Sequence, residues 1–125
     1  MSPAATRVVT DKLCKWYGKV VGINDFSVEI PAGVTGLLGP NGAGKSTFIK
    51  LMVGALRPSK GKLEVLGTKV WRNTPLLARI GYCPEHDGIY ADLSGLEFVA
   101  AMARLSGMGE AEARRRAEQT LDRMG

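Results

Sequence analysis

An α/β fold is predicted for this chain of 125 residues, and three observations predict it. Strand-like segments crowd the first half. A glycine-rich loop joins a short apolar run to a helix near residue 45. Two helical patterns then fill the end of the chain.

The elements read in order as follows. Met1 to Thr6 form a short flexible start. Arg7 to Tyr17 are rich in β-favouring residues, and Gly18 punctuates them. Phe26 to Ile30 run Phe, Ser, Val, Glu, Ile, the two-residue period of a half-buried strand. Pro31-Ala32-Gly33 is a turn. Val34 to Leu38 form a short apolar run between glycines, which predicts a buried strand. Lys45 to Leu56 predict a helix with Phe48, Ile49, Leu51, Met52, Ala55 and Leu56 on its apolar face.

Pro58-Ser59-Lys60-Gly61 turns the chain into a strand over Lys62 to Leu66, which Gly67 closes. A short helix is expected over Pro75 to Arg79 and another strand over Ile80 to Cys83. After Ile89 the character changes, and Gly95–Ser106 and Glu110–Met124 predict helices. Ala113, Ala117, Leu121 and Met124 share one face of the second. Ser94-Gly95-Leu96-Glu97 has the spacing of a capping box, with Ser94 as the cap. No internal repeat or low-complexity segment interrupts this order.

Composition sets outer bounds. Hydrophobic residues make up 45% and charged residues 23%, so the chain has enough apolar material for a core. The net charge of +5 suits a phosphate-rich partner, an anionic membrane face or simply a slightly basic surface. Arg114-Arg115-Arg116 lie among Glu110, Glu112 and Glu118, which reads as a solvated helix face rather than a nucleic-acid site. Cys14 and Cys83 lack metal-ligand spacing and are read as core thiols of a reducing compartment. No apolar run reaches the roughly 18 residues of a membrane span, and no signal-peptide pattern opens the chain. A cytoplasmic location is expected.

The loop carries the chemistry. Gly39-Pro40-Asn41-Gly42-Ala43-Gly44-Lys45-Ser46 matches G-x-x-x-x-G-K-[ST], the phosphate-binding P-loop pattern. Glycines let successive backbone N–H groups turn toward one anion. A helix beginning at Lys45 adds unpaired N–H groups and the positive end of its dipole. Lys45 supplies a mobile charge for the β- and γ-phosphates. Ser46 supplies a hard hydroxyl oxygen suited to magnesium.

Extended by Thr47, this loop resembles that of ATP-binding cassette (ABC) proteins even at its variable positions. The resemblance covers residues 7–125. It implies a P-loop NTPase fold of ABC type: an antiparallel β subdomain and the start of a RecA-like core over residues 7–88, then the start of a helical subdomain over 89–125. Trp16-Tyr17-Gly18 is similar to the place where the family stacks an aromatic residue on adenine. Tyr17 matches that place, with Trp16 as the competing candidate. Thr47 matches a hydroxyl near the α-phosphate. Ile80-Gly81-Tyr82-Cys83-Pro84 resembles the strand leading into the Q-loop, where Glu85 stands in place of the usual Gln. Glu85 is accordingly read as a metal or water contact, and His86 as a surface residue.

The resemblance implies ATP and Mg2+ as ligands, a transmembrane subunit and a second ATP-binding domain as partners, and a peripheral place on the inner face of the cell membrane. No nucleic-acid partner is expected. The signature motif, catalytic glutamate and switch histidine of the family come later than residue 125, so no catalytic residue is assigned. The chain is expected to be the N-terminal part of a longer domain, to bind ATP and to turn it over negligibly. Val34 to Leu38, lacking the later strands, is expected to aggregate. The resemblance favours an export-type transporter subunit. An ABC-type protein of translation or DNA repair and a non-hydrolysing regulatory module are the alternatives.

Overall fold

The computed structural model describes residues 5–40, 42–85 and 88–125. Asn41 of the loop and His86 therefore lie outside the described residues. The chain divides into two compact units, Met1–Tyr82 and Cys83–Gly125.

The first unit is built on an antiparallel sheet of four strands: β1 (Thr6–Tyr17), β2 (Val20–Pro31), β3 (Lys60–Val65) and β4 (Thr68–Lys69), in spatial order β2-β1-β3-β4. A two-residue turn at Gly18 and Lys19 joins β1 to β2 and pairs Tyr17 with Val20. The β1–β2 ladder breaks register between Thr10 and Leu13. Thr10 is buried there, and its hydroxyl donates to the Phe26 carbonyl at 2.9 Å and accepts from the Val28 N–H at 2.9 Å. One side chain thus satisfies backbone groups that the broken ladder leaves over.

Two helices join this unit, α1 (Lys45–Met52) and the short α2 (Thr74–Leu77). The core gathers Leu13 and Ile23 from the sheet, Phe48 and Leu51 from α1, Leu63 and Val65 from β3, and Val70 and Leu76 beyond it. Phe26 meets Phe48 edge to face, with ring centroids 5.0 Å apart, which fixes the helix against β2. Asn73 caps α2 by accepting from the Leu76 N–H at 3.2 Å.

Several expectations need correction. Val34 to Leu38 form no strand, and Val34 and Leu38 lie almost wholly in solvent. An apolar run becomes a buried strand only where neighbours pair with it, and no described residue does. Ile80 to Cys83 form no strand for the same reason, although Ile80 packs against the core. The first helix ends at Met52 rather than Leu56. Gly54, at φ 78°, makes the left-handed step that stops it. The Ala55 N–H then reaches the Lys50 carbonyl at 2.9 Å and the Gly54 N–H the Leu51 carbonyl at 3.2 Å, a Schellman closure. Lys60 and Gly61 belong to β3 rather than to a turn, β2 begins six residues before Phe26, at Val20, and Thr6 already lies in β1. Cys14 is a buried free thiol, as expected, but Cys83 is exposed, on irregular backbone between Tyr82 and Pro84, which are exposed as well.

The second unit pairs α3 (Gly95–Leu105) with α4 (Glu110–Met124). Ala113 and Ala117 are buried on α4 and allow close approach, while Met124 is 82% exposed. The three arginines at 114–116 all face solvent. Ser94 caps α3 as the spacing predicts: its hydroxyl accepts from the Glu97 N–H at 3.1 Å, and the Glu97 carboxylate accepts from the Ser94 N–H at 3.4 Å. Replacing Ser94 with alanine is expected to destabilise this unit by about 1 kcal/mol, measurable as an earlier loss of helical circular dichroism in urea.

Candidate functional site

The loop from Gly39 to Ser46 leads into α1, and its backbone does what the glycine spacing requires. Gly42 has φ 85°, and Gly44, the residue before the helix, has φ 93°. A Cβ on Gly44 would stand 2.6 Å from the Gly22 carbonyl oxygen. Both the dihedral and the space therefore demand glycine. Between them, the Ala43 N–H bonds the Pro40 carbonyl at 3.2 Å and tightens the bend.

The first helical bond of α1 runs from the Phe48 N–H to the Gly44 carbonyl at 2.9 Å. The amides of Lys45, Ser46 and Thr47 thus have no acceptor within the helix. No side chain caps them, and no acidic residue occupies the first turn. The positive end of the helix is left uncompensated, the arrangement that attracts an anion. The Lys45 ammonium donates to the Gly39 carbonyl, closing the loop across its two ends. Ser46 is exposed at the helix start.

Tyr17 reaches the same helix from the end of β1. Its hydroxyl lies 3.4 Å from the Thr47 hydroxyl. The Lys15 ammonium stands 5.5 Å from the Tyr17 ring centroid and donates to the Arg57 carbonyl at 2.8 Å. Tyr17 lies against Gly22: a Cβ there would come within 2.9 Å of the Tyr17 ring and 3.1 Å of the Thr47 methyl. The backbone N–H of Trp16 donates to the Ser59 hydroxyl at 2.9 Å. Of the two adjacent aromatics, Tyr17 is the one beside the helix start.

A cavity of about 240 Å³ adjoins the loop at Ala43, Gly44 and Lys45, walled by Phe26, Leu38 and Phe48. Tyr17, Ser46 and Thr47 do not line it, so it is distinct from the space that those side chains border.

The family model for ABC transporters matches residues 23–125. The chain belongs to the ABC transporter family. Among ABC relatives, it is 36% identical over its whole length to the daunorubicin/doxorubicin resistance ATP-binding protein of Streptomyces peucetius, of which it covers 39%. It is 33% identical to the bacitracin transport ATP-binding protein of Bacillus licheniformis, over 83% of this chain and 35% of that protein. A solved ATP-binding subunit of an ABC transporter is 28% identical and superposes with a TM-score of 0.64, over 89% of this chain and 47% of the other. The chain thus spans well under half the length of the curated ABC relatives it matches.

Among the ABC-type site residues expected from the sequence, the structure brings Tyr17 to Thr47 and Lys45 to Gly39. Glu85 lies on an exposed bend of the second unit. The described residues hold no cluster of three or more acidic, histidine or cysteine side chains that could cage a metal. Magnesium needs no such cage, since it commonly takes one or two protein oxygens together with substrate phosphates. The Ser46 hydroxyl is exposed beside the uncapped amides of the helix start. No described helix is long and apolar enough to cross a membrane. Gly22 and Lys15 are the site residues that the sequence reading passed over. A glycine inside a strand marks close approach of another group, and that signal could have found Gly22.

Proposed function

We propose that the chain is the nucleotide-binding part of an ABC transporter ATPase that holds Mg-ATP on the loop from Gly39 to Thr47. The observation that supports this best is the uncapped start of α1, with a lysine on the loop beside it, in a chain of this family. Backbone amides of the bend and of the first helical turn gather the phosphate oxygens. Lys45 exchanges the Gly39 carbonyl for the β- and γ-phosphates. Thr47 sits near the α-phosphate, and Tyr17 stacks on the adenine. Ser46 holds magnesium. Magnesium, when bound, neutralises charge on the β- and γ-phosphates.

In this reading, residues 7–88 form the β subdomain and P-loop core, and residues 89–125 begin the helical subdomain. The complete subunit joins a second ATP-binding domain head to tail, couples hydrolysis to a transmembrane partner and sits on the inner face of the cell membrane. The named relatives act in drug resistance and bacitracin transport, which favours export. The residues placed here bind and neutralise phosphate but orient no attacking water, so this chain by itself releases phosphate negligibly.

Thermal unfolding of the purified chain with and without Mg-ATP tests the reading. At a hundredfold excess over Kd, binding stabilises the folded state by about 2.7 kcal/mol. A folded protein with no shift would overturn it. Tyr17→Ala separates base from phosphate recognition. It is expected to weaken ATP binding by about 1–3 kcal/mol, the usual value of one stacked base, and to leave tripolyphosphate binding unchanged in calorimetric titration.

A further inference from the structure

We propose that the groove beside Trp71 is a second ligand site, for a phosphate ester carrying a flat ring, as in a nucleotide. The groove encloses about 730 Å³, within the size of small-molecule pockets. It lies wholly in the first unit and shares no residue with the P-loop.

Its chemistry follows from the side chains that line it. Val70, just past the end of β4, is buried, while Lys69 before it and Trp71 after it are exposed. Leu63 and Val70 form an apolar floor. Lys62 lies 3.2 Å from the Glu64 carboxylate, and Lys69 is the cross-strand partner of Glu64. One carboxylate thus shares the lining with three cationic residues, Lys62, Lys69 and Arg57. Glu64 is the only acid among the described lining residues. Asp11, the cross-strand partner of Lys62 on β1, does not line the groove. Positive charge is therefore in excess.

Trp71 is 37% exposed on this rim, and the Arg72 guanidinium lies 6.0 Å from its ring centroid. An indole offers a stacking surface to any flat ring, and the lysines and Arg57 offer charge-assisted hydrogen bonds to phosphate. Neither feature alone selects a ligand. Together over an apolar floor they select one with an aromatic ring at one end and negative charge at the other. The concave shape favours a small molecule over a bilayer surface, which could touch only the rim.

The test uses the full chain with Trp16→Phe and Lys45→Ala. Trp71 is then the only tryptophan, and the P-loop is disabled, so the outcome does not depend on the loop reading. ADP is expected to quench Trp71 fluorescence saturably, and inorganic pyrophosphate to relieve the quenching by competition. Lys62→Gln with Lys69→Gln, at solvent-facing positions, should weaken ADP about tenfold or more. Trp71→Ala should do the same by equilibrium dialysis, while Trp71→Phe retains binding. Absence of saturable quenching at millimolar ADP would overturn the proposal, as would quenching unaffected by the lysine substitutions. So would a response to phosphatidylglycerol vesicles alone, which would assign the patch to a membrane surface.

Discussion

Lys45→Ala is expected to erase the stabilisation that Mg-ATP confers through the loop while barely changing the protein without nucleotide. The asymmetry follows from where the ammonium sits. Without ligand, Lys45 donates to the Gly39 carbonyl in an exposed setting, and losing such a bond costs less than about 1 kcal/mol. With a triphosphate in the loop, the same group is the one mobile charge in the P-loop motif. The first turn of α1 carries no acid that could respond in its place. The shift of about 2.7 kcal/mol at a hundredfold excess of nucleotide should fall to the small remainder that a weaker second site, such as the Trp71 groove, supplies. Differential scanning fluorimetry of the two proteins, with and without Mg-ATP, reads both effects at once. An equal shift in the variant would mean that the nucleotide is held elsewhere, and the Trp71 groove would then be the first place to look.

Gly44→Ala is expected to damage the fold and the site together, by on the order of 3 kcal/mol of stability. Two independent strains act at this position. The dihedral of 93° lies in the region that side chains avoid. The added methyl would also press within 2.6 Å of the Gly22 carbonyl and 3.2 Å of Ile23. Ile23 belongs to the core, and Gly22 supports Tyr17, so relief by movement of β2 would disturb both. Chemical denaturation should show the lower midpoint, and Mg-ATP should restore little of it. An alanine variant as stable as the parent would show that the backbone here is far more yielding than its geometry implies.

What could be read from the residues beforehand depended on whether a signal was local. The start of α1 was legible because Gly44-Lys45-Ser46 states both the turn and the helix that follows. The capping box at Ser94 and the small-residue face of α4 were legible because each is complete within one or two helical turns. The end of α1 was misjudged because the apolar period continues through Ala55 and Leu56 while Gly54 overrides it. Val34 to Leu38 misled for a different reason: an apolar run records that a strand is possible but not whether partners are present. The first residues of β2, with Val20 and Val21 well exposed, carry no alternation, and only their ladder with β1 defines them. In the site, the motif named the loop, but the approach of the Tyr17 hydroxyl to Thr47 is a contact between distant segments that no local pattern records.

The two ends of the loop are anchored very unequally. On its carboxyl side, Phe48 and Leu51 root it in the core, whereas on its amino side residues 34–38 pair with no strand among the described residues. A tether and a root make an asymmetric clasp. Whatever holds the amino side of the clasp lowers the cost of ordering it around an anion, so a contact on residues 34–38 would tighten nucleotide binding without touching the nucleotide.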